Sequence, residues 1–121
     1  MPGMAAGRTL RLLLALFGLW AAVAANATDV GLAVYERGCI ACHGADGTGS
    51  LLGVPDLTGP SSRLSQDPAL LLRHARDGFR SPGSPMAMPA RGGDPALTDA
   101  ELAAALHYMR STFAGRPDST Y

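Results

Sequence analysis

The sequence predicts an all-α domain, and three observations support this class. Three segments between residue 29 and the C-terminus have apolar residues at helical spacing together with recognisable ends. No segment shows the apolar–polar alternation of a β-strand. Long stretches rich in glycine, proline and serine separate the helical segments, as is typical of irregular loops. We therefore expect about three main helices joined by long loops.

The N-terminal segment, residues 1–27, is predicted to be a signal peptide. Arg8 and Arg11 precede an almost wholly apolar run over residues 12–25, and Ala25-Asn26-Ala27 is a cleavage motif of small residues. The run is shorter than the roughly 20 residues that a membrane span needs. An anchor that is not removed is the alternative. Cleavage near Ala27 predicts a periplasmic protein with one domain over residues 28–121 and no membrane span.

The first helix is expected over residues 29–38. Its apolar side has the spacing i, i+3, i+4, i+7, which is provided by Gly31, Val34, Tyr35 and Gly38. Glycine inside a helix costs up to about 1 kcal/mol relative to alanine. Close approach of another helix would be a reason to keep Gly31.

A second helix is predicted over residues 68–77. Asp67 is a suitable N-cap, Pro68 suits the first helical position, and Gly78 suits the C-terminal cap. His74 lies in this helix, and we interpret it as a partly exposed structural residue rather than a ligand.

The last helix has the clearest start. Thr98 and Glu101 form a capping box, and Leu97 and Leu102 are placed for a hydrophobic staple. An apolar stripe then follows at helical spacing: Leu102, Ala105, Leu106, Met109 and Phe113. His107 falls on the other side with Ala103 and Arg110, and we interpret it as a surface residue.

The segment Cys39-Ile40-Ala41-Cys42-His43 carries the chemistry of the chain. It fits Cys-x-x-Cys-His, the attachment signature of c-type haem. Two thiols at this spacing can each form a thioether to one vinyl group, and the adjacent His43 then offers an imidazole nitrogen to the iron. No other cysteine is present.

Three alternatives compete for the two cysteines. A disulfide at this spacing closes a very small loop and constrains the unfolded chain weakly. A thioredoxin-like dithiol normally lies near a βαβ pattern, which the sequence lacks. A structural zinc site needs four ligands, whereas this segment offers three. Covalent haem is the preferred interpretation.

The loop that follows His43 contains Pro55, which has no amide proton to donate. Its carbonyl can still accept a hydrogen bond, and a backbone carbonyl often accepts one from the far nitrogen of a metal-bound histidine. We therefore expect Pro55 beside His43.

From residue 29 to about residue 114 the chain resembles a class I cytochrome c, most closely the bacterial cytochrome c5 group. The resemblance is carried by the haem motif, Pro55 twelve residues beyond His43, and three further runs: Ala87-Met88-Pro89-Ala90-Arg91-Gly92-Gly93, Leu97-Thr98-Asp99 and Tyr108-Met109. It implies one covalent haem c on Cys39 and Cys42, with His43 and Met88 as axial iron ligands. It also implies that Gly31 and Tyr35 pack against the last helix near Leu106 and Tyr108.

Two methionines compete for the distal position. Met86 and Met88 are two residues apart, so in an extended loop they are expected to point to opposite sides. Pro89 biases Met88 toward an extended backbone and limits its movement. We therefore expect Met88, and not Met86, to bind the iron.

The resemblance implies an electron-transfer protein that is not itself an enzyme and carries single electrons between redox partners. A dehydrogenase, an oxidase or another cytochrome would be such a partner. Two alternatives remain open: a haem-based module that binds a small ligand, and the electron-accepting subunit of a periplasmic dehydrogenase. A dithiol exchange protein becomes the interpretation if no haem is attached.

Charge is distributed unevenly along the chain. Residues 28–62 carry one arginine against four acidic residues, residues 63–91 carry five against two, and residues 92–121 carry two against four. Lysine is absent, which excludes the lysine-ringed docking face of mitochondrial cytochromes. The net charge by itself says nothing about nucleic acid or membrane, and we expect no nucleic-acid partner. The basic middle segment is a candidate docking side for an acidic protein.

Overall fold

In a computed structural model of the protein, residues 24–115 can be described. They form four α-helices and two short 3-10 helices: α1 (Ala27–Gly38), α2 (Ile40–His43), a 3-10 turn (Arg63–Ser65), α3 (Pro68–Asp77), a second 3-10 turn (Ala90–Gly93) and α4 (Asp99–Thr112). Within residues 24–115 there is no β-strand, and an isolated bridge pairs Phe79 with Met88. The predicted all-α class is confirmed.

The N-terminal limit of the described chain bears on two predictions. Residues 1–23 of the predicted signal peptide lie outside the described residues. α1 begins at Ala27, two residues before the expected start, because the amides of Asp29 and Val30 already donate to the Asn26 carbonyl. Among residues 24–115, no helix has both the length and the apolar character needed to cross a membrane.

Helix α1 crosses α4 at very close range. A Cβ atom at Gly31 would overlap the Ala104 carbonyl and would lie 2.8 Å from the Tyr108 Cβ. Tyr35, one turn further along, is 1% exposed, and its ring centroid lies 5.4 Å from that of Tyr108. The predicted packing of α1 on α4 is confirmed, and only glycine at position 31 permits the distance between the two backbones.

The predicted helix ends of α3 and α4 are also confirmed. The Asp67 carboxylate accepts hydrogen bonds from the first-turn amides of α3, at 2.7 and 3.1 Å. At α4, the Glu101 amide donates to Thr98 Oγ1 at 3.2 Å, and the Thr98 amide donates to Glu101 Oε2 at 2.8 Å. These bonds satisfy amides that have no partner inside the helix.

The core has two parts, and both include residues of α1 and α4. The larger part contains Tyr35, Leu57, Leu64, Leu71, Leu106, Met109, Phe113 and Ala114, and the smaller part contains Val34, Leu97, Leu102 and Ala105. Leu97 and Leu102 lie in the same cluster, as the predicted staple requires. The apolar stripe expected on α4 is therefore the side that is buried.

Arg110 is a correction to the sequence analysis. Helical spacing places it on the same side as His107, yet Arg110 is 6% exposed, whereas His107 is partly exposed. Its guanidinium donates to the Gln66 carbonyl at 3.3 Å, because the 3-10 turn at Arg63–Ser65 leads the chain across the end of α4. A long side chain with a carbonyl acceptor can be buried without losing its charge.

The long loop after His43 is fixed to the end of α4. The Leu57 amide donates to the Gly47 carbonyl at 2.8 Å, and the Gly59 amide donates to the Phe113 carbonyl at 3.0 Å. Gly47 has φ +76°, and a Cβ there would lie 2.6 Å from the Phe113 ring. The loop is thus held by backbone bonds and forms one wall of the cavity described next.

Candidate functional site

A cavity of about 330 Å³ opens between α2, α3, the loop after His43 and the loop before the second 3-10 turn. Its lining includes every residue predicted to hold the cofactor: Cys39, Cys42, His43, Pro55 and Met88. The volume lies within the range of about 300–1,000 Å³ that is usual for small-molecule sites. Residues up to 49 positions apart in the sequence (39 and 88) therefore meet at one site.

The Cys-x-x-Cys-His segment occupies the single turn α2 and the residue before it. Cys39 ends α1 with φ −125° and ψ −35°, and its carbonyl accepts from the His43 amide at 3.0 Å. The Gly44 amide closes the turn on the Ile40 carbonyl at 2.8 Å. One helical turn thus carries Cys39, Cys42 and His43 to the same cavity.

The two thiols are not joined, since both cysteines are free. Burial, followed by the neighbouring Cys42, raises the pKa of Cys39 to about 11. Dithiol exchange needs a thiolate, and reactive cysteines of that class have a lowered pKa. Within residues 24–115 there is also no cluster of three or more histidine, cysteine or acidic side chains suited to a metal ion. The environment argues against both a dithiol exchange site and a zinc site.

His43 presents a neutral imidazole in the cavity wall. Burial lowers its pKa, which favours the uncharged ring that a metal requires. Its Nδ1 atom is buried and has no hydrogen-bond partner among residues 24–115. The expected bond from the ring to the Pro55 carbonyl is thus not made, although Pro55 lines the same cavity. A buried nitrogen without a partner is uncommon in native structures and requires an explanation.

Tyr35 fixes the chain directly after His43, a role that the sequence analysis missed. Its hydroxyl donates to the Gly44 carbonyl at 2.6 Å. Burial, and secondarily the neighbouring Cys39, raises the pKa of Tyr35. The amides of Gly49 and Ser50 donate to the carbonyls of His43 and Cys42 at 2.9 and 2.8 Å. The position of α2 is therefore set from both sides.

Both candidate methionines also lie in the cavity lining. Met86 and Met88 line the same cavity, so the expected orientation to opposite sides does not decide which of the two would bind the iron. Their backbones differ: the Met88 amide and carbonyl both pair with Phe79, at 2.7 and 3.0 Å. Met86 bonds only to the Ser84 hydroxyl and is 38% exposed, whereas Met88 is partly buried.

His74 lies closer to the site than the sequence analysis suggested. It is partly exposed, as expected, but it also lines the cavity, and its ring stacks on Phe79 with centroids 3.9 Å apart. Helical spacing could have indicated this, since Leu71, His74 and Ala75 share one side of α3.

Two arginines of the basic middle segment, Arg76 and Arg91, are paired with acidic residues. Arg91 contacts Asp99 at 2.7 Å and donates to the Leu97 carbonyl at 2.6 Å. Arg76 contacts Asp77 at 2.9 Å and Asp99 at 3.8 Å. Because these charges are compensated locally, the candidate docking side is less basic than a residue count along the chain suggests.

Comparison with known proteins identifies the family. The family model described as cytochrome C oxidase, cbb3-type, subunit III matches residues 26–109. The chain is also similar to cytochrome c-555 of Prosthecochloris aestuarii, with 36% identity over 65% of this chain and 81% of that protein. This chain is also 32% identical to cytochrome c-555 of Chlorobaculum thiosulfatiphilum, over 65% of this chain and 88% of that protein. It is 33% identical to cytochrome c-555 of Chlorobaculum tepidum, over 65% of this chain and 70% of that protein. The chain therefore belongs to this cytochrome c family and is a monohaem class I c-type cytochrome, an electron carrier and not an enzyme, with one covalently attached haem c.

Proposed function

We propose that the protein carries single electrons between periplasmic redox partners through a haem bonded to Cys39 and Cys42 and ligated by His43 and Met88. One observation carries the proposal: a single apolar cavity brings together two unpaired thiols, a neutral imidazole and a thioether. When bound, the haem iron supplies reversible one-electron chemistry, and methionine–histidine ligation raises its potential.

The α2 side of the cavity acts as the attachment wall. Cys39 and Cys42 would hold the macrocycle covalently, while His43 would bind the iron from the same helical turn. The hydrogen bond from Tyr35 to Gly44 supports this wall, because it restrains the chain next to His43. Pro55 would accept a hydrogen bond from the His43 ring once the other ring nitrogen is committed to a metal.

The opposite wall supplies the distal ligand. Met88 is favoured over Met86 because two backbone hydrogen bonds to Phe79 hold it against the end of α3. A fixed thioether moves little when the charge on the iron changes, and small rearrangements favour fast electron transfer. If His43 and Met88 both hold the iron, no position would remain open on it for a substrate. This arrangement argues against the small-ligand binding alternative.

We infer that electrons leave through the rim of the cavity nearest Gly53 and Pro85. These two segments touch, since a Cβ at Gly53 would lie 2.9 Å from the Pro85 ring. The neighbouring side chains Leu51, Leu52 and Met86 are exposed, Leu52 to 85%. An exposed apolar rim is suited to a short-lived contact with a redox protein.

Charge on this rim supports an acidic partner surface. Arg80 is exposed and donates to the Ser84 carbonyl beside Pro85, and Arg63 is exposed and lines the cavity. Arg91 is a poor candidate for this role because its guanidinium is bound to Asp99 and Leu97. The partner would be a dehydrogenase, an oxidase or another cytochrome. The matching family is described as an oxidase subunit, which makes an oxidase a reasonable first partner to test.

The export proposal rests on sequence alone. Residues 1–27 would be removed, leaving a mature domain over residues 28–121 in the periplasm.

The experiment compares the purified protein with two matched variants. A covalent haem stain after denaturing electrophoresis should be positive for the wild type. The ferric spectrum of the wild type and of Met86→Ala should show the weak red charge-transfer band typical of methionine–iron coordination, and Met88→Ala should lack it. A band that survives Met88→Ala and disappears in Met86→Ala would refute the assignment of the ligand.

A further inference from the structure

His74 lies on the side of α3 that faces the cavity. Leu71, His74 and Ala75 all line it, and they follow the spacing i, i+3, i+4 of one helix face. Within residues 24–115, His43 and His74 are the histidines that line the cavity, and they belong to different elements, α2 and α3. A second imidazole therefore lies within the same site.

His74 and Met88 are held in one unit. The His74 ring stacks on Phe79 with an interplanar angle of 15°, and the Phe79 backbone pairs with Met88 in both directions. Between them, Gly78 has φ +84°, and a Cβ there would lie 3.1 Å from the Met88 carbonyl oxygen, which is closer than an ordinary van der Waals contact. The imidazole and the thioether are thus linked through Phe79 and line the same cavity as His43.

The ring nitrogens of His74 are not committed elsewhere. No hydrogen bond or ion pair of the His74 side chain is found among residues 24–115, and its ring contact is the stack on Phe79. The side chain is partly exposed, so rotation of the ring does not require a repacked core. Lysine is absent from the chain, and arginine stays protonated and does not bind metals. His107 is on α4, outside the cavity lining.

We propose that His74 is a reserve ligand of the haem iron, which takes the distal position whenever the Met88 thioether leaves it. The exchange would replace one sulfur–iron bond by one bond from an imidazole nitrogen to iron, with no change in oxidation state. The inference rests on the proposed haem site. Because methionine–histidine ligation raises the potential relative to nitrogen-only ligation, the exchange would lower it and make the protein a weaker electron acceptor.

The test uses ferric holoprotein and electron paramagnetic resonance. In Met88→Ala, which keeps the backbone pair with Phe79 intact, we expect a low-spin signal of two imidazole ligands. Met88→Ala/His74→Phe keeps a ring to stack on Phe79 but offers no nitrogen, and it should be high-spin. Met88→Ala/His107→Phe is the matched control and should stay low-spin. A Met88→Ala protein that is high-spin, or a low-spin signal that survives His74→Phe, would overturn the proposal.

Ligand binding gives an independent measurement. If His74 occupies the iron in about 99% of Met88→Ala molecules, cyanide should bind roughly 100-fold more tightly to Met88→Ala/His74→Phe. Equal cyanide affinities would contradict the inference. Failure of the underlying haem site is recognised separately: either no covalent haem forms in the wild type, or Met88→Ala retains the methionine–iron band. The single variant His74→Phe should keep that band, which shows that its fold is intact.

Discussion

Replacing Tyr35 by phenylalanine removes one hydroxyl group from a buried site next to the haem-binding turn. That hydroxyl donates to the Gly44 carbonyl at 2.6 Å, and the residue is 1% exposed. The ring contacts would persist, since the Tyr35 ring lies 5.4 Å from both Tyr108 and Phe113. The change therefore isolates the hydrogen bond.

The expected loss of stability follows from the hydrogen bond that is removed and from the Gly44 carbonyl that is left without its donor. A neutral hydrogen bond contributes about 0.5–1.5 kcal/mol net, and a buried carbonyl left without a donor costs about 1–3 kcal/mol. Gly44 is partly exposed, so water can replace part of the lost bond. We expect Tyr35→Phe to lower the free energy of unfolding by about 1–2 kcal/mol at neutral pH.

The assay is urea unfolding of the holoprotein followed by circular dichroism. The midpoint should fall while the slope with denaturant stays the same, because the surface exposed on unfolding is unchanged. Tyr108→Phe is the control, since no hydrogen bond of the Tyr108 hydroxyl is found among residues 24–115. It should change the free energy of unfolding by no more than about 0.5 kcal/mol.

The pH dependence makes the prediction sharper. Burial, and after it Cys39, raises the pKa of Tyr35 above its ordinary value of 10.0. The folded protein thus retains a proton that the unfolded chain loses, so this contribution is complete below pH 10 and declines as the pH rises further. Above pH 10 the free energy of unfolding of the wild type should fall by up to about 1.4 kcal/mol for each pH unit through this group, and Tyr35→Phe should lack this decline. A stability gap that is absent at pH 7, or that stays constant from pH 7 to pH 11, would refute the reasoning.

Three further changes test other parts of the molecule. Gly31→Ala should lower the free energy of unfolding in urea by about 1–3 kcal/mol, because the added Cβ overlaps the facing helix. The control is Ala33→Gly at an exposed site of α1, which should show that alanine is the better helix former where no helix lies opposite. A Gly31→Ala protein as stable as the wild type would exclude the close crossing. Cys42→Ala should give little folded protein after export, and a well-dispersed NMR spectrum from a haem-free chain would show that folding does not depend on haem attachment. Electron transfer to the physiological partner, measured by stopped flow, should slow as the salt concentration rises. At low salt the rate should fall more in Arg80→Gln than in the control Ala33→Glu, which changes the net charge equally. Equal rates in these two variants would rule out docking at the arginine-bearing rim.

Several features of this protein follow from short stretches of sequence. The capping box of Thr98 and Glu101, the N-cap Asp67 and the glycine at position 78 act within a few residues, so local rules predict the ends of α3 and α4. The Cys-x-x-Cys-His motif is equally local, because one helical turn sets the spacing of its side chains. The helical spacing on α4 also predicted which of its apolar residues are buried.

Other features depend on segments that are distant in sequence, and only the tertiary structure decided them. Arg110 is buried because a turn more than forty residues earlier supplies a carbonyl, and helical periodicity contains no information about that partner. Arg91 is neutralised by Asp99, although a count along the chain assigns it to a basic segment. His74 belongs to the cavity because Phe79 pairs with Met88 and folds the loop back on α3. Helical periodicity in the sequence predicts which side of a helix is buried, whereas the polar groups that contact that side are determined by where distant segments of the chain pack in the tertiary structure.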